Sequence, residues 1–187
     1  GGLRLRPLLI CGAGGALAVS LSLYFNAYQR ARVSTFLDPW SVAQGKGYQT
    51  VQAFLALGRG GIAGTGPAGS RQKLFFLPEA HTDFILSVIG EELGLIGVSV
   101  VIAFYVIFLI CGVKIAFKAR DLHGQYLALG LTFMVVLQAA LNMAVVMGML
   151  PPKGLPLPFI SYGGTSLMVN MAAVGIMLNI YMKENEA

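Results

Sequence analysis

The sequence is poor in charged residues, in cysteine and in tryptophan. Aspartate, glutamate, lysine and arginine make up 11% of its 187 residues, whereas hydrophobic residues make up 56%. Soluble domains usually carry about 25% charged residues, so this composition excludes an ordinary soluble fold. The two cysteines, Cys11 and Cys111, both lie in apolar runs, which fits neither a disulfide framework nor a cysteine metal site. The composition therefore predicts an integral membrane protein.

The few charged side chains show a basic excess without a basic cluster. Lysine and arginine total 13 against 8 acidic residues, giving a formal net charge of +5. Nucleic-acid binding needs basic residues gathered on one face, so this scatter predicts no nucleic-acid partner. The short loop predicted between the second and third apolar runs holds Lys114, Lys118 and Arg120. The short loop between the third and fourth runs holds only Lys153. Short loops rich in lysine and arginine stay in the cytoplasm, which predicts cytoplasmic termini.

Apolar runs long enough to cross a bilayer are the main feature of the chain. A membrane-spanning helix needs about 20 mostly apolar residues, and the strict alternation of a barrel strand is absent. We therefore expect an all-α integral membrane protein, built as a single membrane domain over residues 1–187. The four expected transmembrane helices lie at about 7–26, 82–113, 126–150 and 165–182, with an outer loop at about 27–81 between the first and second.

The expected outer loop is too long to be a plain connection, which favours a functional role. Within it, Val51, Phe54, Leu55 and Gly58 recur at helical spacing and predict a short helix. Six glycines between positions 58 and 69 predict tight turns, or close approach of the backbone to a ligand or another helix. The stretch from 64 to 69 matches the GxGxxG dinucleotide pattern, but it follows no predicted strand, so nucleotide binding is rejected.

One short segment holds three ionisable side chains, Glu79, His81 and Asp83, directly before the second apolar run. Ionisable groups at the mouth of a membrane-spanning segment are costly to bury, which makes them candidates for function. The structural alternative is that Thr82 or Asp83 caps the next helix. In a helix that begins near Thr82, Glu91 lies about two turns beyond Asp83 and about 80° around the axis, so both would line one cavity. A carboxylate there would accept a proton from a hydroxyl nucleophile.

Two further segments carry groups suited to an anion. Residues 70–73, Ser-Arg-Gln-Lys, offer a guanidinium fork and an ammonium that suit phosphate, and they equally suit contact with lipid head groups. Residues 151–158 are rich in proline and break the third helix. Residues 159–166 then open the fourth helix, whose N-terminal amides would face an anion. The predicted topology puts this opening on the same side as Asp83, so the two would form one site.

Polar and small residues inside the predicted spans have a structural interpretation. Gly90 and Gly94 form a small-xxx-small pair and predict close helix packing. Amide side chains within spans are expected to form hydrogen bonds between helices, each worth about 0.6 kcal/mol. They are Gln138 and Asn142 in the third span and Asn170 and Asn179 in the fourth.

Several segments, taken in order, resemble one known family. They are LPEAHTDF at 77–84, GEELG at 90–94 and PLPFISYGGTS at 156–166, preceded by FLDPW at 36–40. The chain resembles the SEDS family of bacterial peptidoglycan polymerases, which includes FtsW, RodA and SpoVE. SRQK at 70–73 and PKGL at 152–155 resemble the FtsW and SpoVE branch, and FtsW most, more than RodA. Family members have more spans than the four expected here, so the resemblance covers their C-terminal part.

The resemblance implies a glycosyltransferase that polymerises lipid II into glycan strands at the outer face of the bacterial cytoplasmic membrane during cell division. The essential aspartate of the family falls in the HTDF motif, which makes Asp83 the expected catalytic residue. Its expected role is general base on the acceptor sugar hydroxyl, with inversion at the donor anomeric carbon. Arg71 and Lys73 are candidates for contact with the pyrophosphate. The other candidate substrate-binding residues are Gln72, Glu79, His81, Thr82, Glu91, Ser161, Tyr162, Gly163 and Gly164.

The resemblance also implies partners, namely lipid II, a class B penicillin-binding protein and other division proteins. No cofactor is firmly expected. A divalent cation would help the pyrophosphate leave, but no ligand cluster in the sequence identifies a metal site. Two other functions stay open at this point. One is a flippase or transporter for a lipid-linked precursor, and the other is a non-catalytic membrane scaffold of the division machinery.

Overall fold

A computed structural model of the chain describes residues 5–26, 33–43, 45, 47–67, 69 and 82–185. No strand occurs among these residues, so the prediction of an all-α protein is confirmed. A short helical stretch covers residues 33–37. The main helices are α1 (Leu5–Phe25), α2 (Tyr48–Gly60), α3 (Ile85–Lys118), α4 (Leu122–Val146) and α5 (Gly164–Asn185).

The chain forms two compact units, one over residues 1–48 and one over residues 49–187. The first unit contains α1 and the turn after residues 33–37, where the Ser41 hydroxyl donates to the Asp38 carbonyl at 2.9 Å. The second unit contains the candidate functional site. That the whole chain is one membrane domain stays a prediction.

Three helices within the described residues are long and apolar enough to cross a membrane: Ile85–Lys118, Leu122–Val146 and Gly164–Lys183. Large apolar side chains on them are exposed, as Leu95 at 60% and Met168 at 67% illustrate. Such continuous apolar surface is expected against lipid, and the chain is a multi-pass membrane protein. α1 forms where the first span was expected, but the apolar stretch found in it, Gly12–Ser22, is shorter than a crossing. That the first expected span, at about 7–26, crosses the membrane therefore stays a prediction.

The helix ends differ from the expected boundaries by a few residues. α3 continues to Lys118 instead of 113, because lysine ends an apolar run without ending backbone hydrogen bonding. α4 begins at Leu122 instead of 126, since Asp121 caps it by accepting from Gly124 N–H at 2.8 Å. That hydrogen bond is the main cause that lowers the pKa of Asp121 below its ordinary value. α4 ends at Val146 instead of 150, because Gly148 takes a left-handed φ of 72°.

The core of the second unit lies between α3 and α4. Val101 and Tyr105 of α3 are buried in the same cluster as Val135 and Ala139 of α4. Further along α3, a Cβ added to Gly112 would lie 2.5 Å from Thr132 Cγ2. A side chain at that position would push the helices apart, so glycine permits their close approach. This contact holds the two helices together in the half of α3 that is remote from Asp83.

α3 is broken at Gly94, which has φ 64° and ψ −158°. A break frees backbone groups that have no water to bind inside a membrane. The loop after α2 binds these groups. Leu95 and Ile96 N–H donate to the carbonyls of Gly61 and Ile62, at 2.9 and 3.3 Å. In the other direction, Thr65 N–H donates to the Glu91 carbonyl at 2.9 Å, and Gly66 N–H donates to the Glu92 carbonyl at 3.0 Å.

The glycines at this junction allow two backbones to touch. A Cβ on Gly64, which has φ 80°, would lie 2.7 Å from Gly94 N. A Cβ on Gly60 would overlap the Gly90 carbonyl oxygen. The predicted close approach to another helix is thus confirmed, as is close packing at Gly90. The GxGxxG stretch follows α2 and docks on a helix break, which agrees with its rejection as a nucleotide motif.

Candidate functional site

The turn over residues 82–84 holds Asp83 at the start of α3. α3 begins at Ile85, and Phe84 is its N-cap without a side-chain cap hydrogen bond. Neither Thr82 nor Asp83 is therefore the N-cap residue of α3, as the structural alternative had it. The 80° relation to Glu91 assumed a helix from about Thr82 and does not hold, because Asp83 precedes the helix. Ser87 supports the turn by donating its hydroxyl to the Phe84 carbonyl at 2.7 Å. The Asp83 side chain is half-buried.

Asn142 of α4 ties the Asp83 turn to the proline-rich loop. Its Nδ2 donates to the Asp83 carbonyl at 2.9 Å and to the Leu155 carbonyl at 2.6 Å. One turn earlier, Gln138 Nε2 donates to the Pro156 carbonyl at 2.9 Å. These amides were expected to bind another helix, but they bind the non-helical segments, whose carbonyls have no helical partner. α4 therefore fixes the backbone on both sides of the site.

Ser161 connects the opening of α5 to the same turn. Its hydroxyl donates to the Thr82 carbonyl at 2.5 Å and accepts from Leu157 N–H at 2.7 Å. The Tyr105 hydroxyl donates to the Pro158 carbonyl at 2.5 Å from α3. Two stretches almost eighty residues apart are thus brought together, with Thr82 and Ser161 in direct contact. The expectation that both lie at one end of the bundle agrees with this contact.

The carboxylate of Asp83 faces the proline-rich loop. A Cβ added to Gly154 would lie 3.4 Å from Asp83 Oδ2. Asp83 Oδ2 therefore lies close to the backbone of this loop at Gly154. Lys153, next to Gly154 in the sequence, is exposed. A half-buried carboxylate beside an open loop is suited to exchange a proton with a bound hydroxyl group.

A cavity of about 590 Å³ opens next to this turn. Its wall combines apolar side chains with the first turn of α5, and Tyr162 stands at its rim with 82% of its surface exposed. The amides at the start of α5 have no partners within the helix and carry the positive end of its dipole. The cavity therefore suits a ligand with an anionic group. The lining residues are Ile85, Ile160, Ser161, Tyr162, Gly163, Gly164 and Leu167.

The predicted site residues fall into three groups. Thr82, Asp83 and the four residues 161–164 are gathered at the Asp83 end of the bundle. Glu91 is buried with 1% exposure beside the helix break, and it does not line the 590 Å³ cavity. The remaining predicted residues lie outside the described part of the chain: Arg71, Gln72, Lys73, Glu79 and His81.

A metal site was left open by the sequence. Within the residues that the structure describes, no group of three or more histidine, cysteine, aspartate or glutamate side chains is placed to hold a metal ion. The donor set among the described residues therefore does not fit a divalent cation.

Replacing Asn142 with leucine is expected to lower the free energy of unfolding by about 1–3 kcal/mol. The change leaves the carbonyls of the half-buried residues Asp83 and Leu155 without their donor. Thermal unfolding of the full-length protein in detergent measures the effect. Asn179→Leu is the matched control, because Asn179 is exposed on α5. Equal losses of stability in both variants would contradict the bridging role.

Comparison with known proteins places this arrangement in a family. Residues 1–186 match the FtsW/RodA/SpoVE family, which is described as a cell cycle protein family. The chain belongs to the FtsW/RodA/SpoVE family. This result confirms the resemblance noted from the HTDF and ISYGG segments.

Members of the FtsW/RodA/SpoVE family that resemble the chain include proteins from several bacteria. "Probable peptidoglycan glycosyltransferase FtsW" of Geobacter metallireducens is 54% identical over 153 residues, covering 82% of this chain and 41% of the relative. "Stage V sporulation protein E" of Bacillus subtilis is 40% identical over 180 residues, covering 96% and 49%. The chain thus spans about half the length of the curated relatives it matches.

A solved structure shares the described fold. The structure is described as "Structural coordination of polymerization and crosslinking by a peptidoglycan synthase complex". One of its chains matches with a TM-score of 0.75 and 29% identity, over 100% of this chain and 52% of that one. The described fold therefore corresponds to about half of that chain.

Sequence reasoning missed residues that build the site in this FtsW/RodA/SpoVE chain. Asn142 and Gln138 were recognised as polar residues of a span, but their partners could not be read from spacing. Gly154 gave only a weak signal, a glycine within a proline-rich loop. Tyr105 gave none, because a tyrosine within an apolar run is ordinary in a membrane helix.

Proposed function

We propose that the full-length protein is a peptidoglycan glycosyltransferase that polymerises lipid II during cell division. The observation that carries the proposal is the half-buried Asp83 carboxylate beside Gly154, at the end of the bundle where a large cavity opens. The names of the FtsW relatives support the reaction class. Because the chain spans about half of those relatives, the activity is assigned to the full-length protein.

The proposed chemistry is a single displacement with Asp83 as general base. Asp83 takes the proton of the acceptor sugar hydroxyl, and that oxygen forms a bond to the donor anomeric carbon. The bond between that carbon and the pyrophosphate oxygen breaks, and the electron pair leaves with undecaprenyl pyrophosphate. Attack from the side opposite the leaving group inverts the anomeric centre. The products are a longer glycan strand and the protonated carboxyl group of Asp83.

The leaving pyrophosphate needs positive potential nearby. The amides of Gly163 and Gly164 at the start of α5 supply part of it. Arg71 and Lys73 are the proposed side-chain contacts, because guanidinium and ammonium groups both bind phosphate oxygens. The apolar wall at Ile85 and Leu167 suits the polyprenyl part of the substrate.

The proposed location is the bacterial cytoplasmic membrane, with the Asp83 end outside. The short turn between α3 and α4 follows Lys118 and contains Arg120, so it belongs in the cytoplasm by the positive-inside rule. In this orientation α3 would cross from that turn to Asp83, and the cavity would open on the proposed outer face. The proposed partners are lipid II, a class B penicillin-binding protein and other division proteins. The match to a chain of a peptidoglycan synthase complex supports a partner of this kind.

A flippase is the second candidate, and it is considered because α3 is broken at Gly94. Transporters commonly use discontinuous helices whose free backbone groups bind the substrate near the middle of the membrane. Here the backbone groups around Gly94 already bind residues 61–66. The break is therefore occupied by the protein itself, which favours the polymerase over the flippase.

The test is lipid II polymerisation by the purified full-length protein with its penicillin-binding partner. A transpeptidase inhibitor is present throughout, and the partner is also assayed alone. We expect glycan strands only when the full-length protein is present. Transport of labelled lipid II across proteoliposomes without strands would support the flippase. If neither strands nor transported lipid II were found, the non-catalytic scaffold would be the remaining function. Transport without strands and the absence of both products would each contradict the proposal.

A further inference from the structure

A second cavity, of about 330 Å³, lies between α3 and α5 at the end of the bundle remote from Asp83. Both helices begin at the Asp83 end, with Ile85 and Gly164, and both end near this cavity. We call it the lysine cleft. Its lining residues are Cys111, Lys114, Ile115 and Lys118 of α3, with Leu178 and Tyr181 of α5.

The charged part of the lysine cleft is built from α3. Lys114 and Lys118 are four residues apart, so their side chains lie on one face of the helix. Lys118 Nζ lies over the Tyr181 ring, 5.6 Å from its centroid, which holds the ammonium at the cleft. Asp121, the next acidic residue along the chain, is engaged in capping α4 through Gly124 N–H. Two cations therefore face one cavity.

The other part of the lysine cleft is apolar. Ile115 and Leu178 form its wall, and Leu178 is 51% exposed. Tyr181 lies near the end of α5, where tyrosine typically sits at the level of lipid head groups. A cavity with cations at one end and an apolar wall along a membrane helix matches the polarity of a phospholipid. A free phosphate ion would use only the charged end.

We propose that the lysine cleft binds one anionic phospholipid, with its phosphate between Lys114 and Lys118 and an acyl chain against Ile115 and Leu178. Basic pockets between membrane helices on the cytoplasmic side commonly bind anionic head groups. The proposed orientation puts this cleft in the cytoplasmic leaflet. The inference goes beyond the polymerase proposal, because it concerns the opposite end of the bundle and does not depend on Asp83.

The test is native mass spectrometry of the full-length protein with phosphatidylglycerol, and with phosphatidylcholine of the same acyl chains. We expect one phosphatidylglycerol to stay bound at collision energies that remove phosphatidylcholine. Lys114→Gln with Lys118→Gln should weaken this binding about 25-fold, at about fivefold for each lysine. Leu178→Trp should also weaken it, because the ring fills the acyl groove while both charges remain. Thermal unfolding confirms that each variant is folded.

The two variants separate a built site from diffuse attraction. Loss of binding in both supports the lysine cleft. Loss only in the double lysine variant would mean general surface attraction, and unchanged binding in both would place the lipid elsewhere, so either result overturns the proposal. Release of the bound lipid by inorganic phosphate alone would also overturn it, since the acyl groove would then contribute nothing.

Discussion

In the full-length protein with its partner, Asp83→Asn is expected to lower the rate of lipid II polymerisation at least about 100-fold. A general base typically contributes about 10²–10⁴ to the rate, and an amide does not accept the proton of a sugar hydroxyl. The fold should survive, because Asn142 and Ser161 bind the backbone carbonyls of Asp83 and Thr82 and not the carboxylate. The initial rate of strand formation from labelled lipid II measures the effect.

Asp121→Asn is the matched control for this experiment. It makes the same chemical change at the other end of the bundle, and asparagine caps helices about as well as aspartate. We expect a rate near that of the unaltered protein and a similar melting temperature. Equal polymerisation by the Asp83→Asn variant would assign the proton transfer to another group. A similar fall in both variants would contradict a specific role for Asp83.

Gly60→Ala is expected to have the largest effect on folding, a loss of at least about 3 kcal/mol or failure to accumulate in the membrane. The new Cβ would overlap the carbonyl oxygen of Gly90, and backbone at that point cannot turn aside as a flexible side chain would. Separation of α2 from α3 would also pull Gly61 and Ile62 away from the N–H groups of the helix break. Those groups would then lie unpaired in the membrane, which is costly.

Gly58→Ala, two residues earlier in α2, provides an internal comparison. A Cβ at Gly58 meets nothing within 4 Å, and the residue is exposed. Alanine is preferred over glycine inside a helix by about 0.5–1 kcal/mol, so this variant should be slightly more stable. The two substitutions are therefore expected to have opposite signs. Unfolding of both full-length variants in detergent measures this, and a neutral Gly60→Ala would show that α2 does not pack on Gly90 as described.

The membrane class and the main helices follow from the sequence by itself. Hydropathy and charge are local properties, so the apolar runs behind α3, α4 and α5 were visible without knowledge of their neighbours. The glycines between 58 and 69 likewise predicted close backbone contact, because only a residue without a side chain permits it. The HTDF and ISYGG segments indicated the family because a motif is a local run of residues that needs no knowledge of its neighbours in space.

Tertiary structure decided which of these local features meet. Asn142 binds the carbonyls of Asp83 and Leu155, which lie 59 and 13 positions away along the chain. Nothing in its own span specifies either partner. The break at Gly94 is stable only because residues 61–66 supply its hydrogen bonds, so a continuous helix from Thr82 was the natural but wrong extrapolation. The lysine cleft likewise needs α3 beside α5. The sequence by itself determined a multi-pass helical membrane protein and its candidate carboxylate, because hydropathy and motifs act within a segment. Folding alone determined the site around Asp83, because a site consists of atoms that the chain order keeps apart.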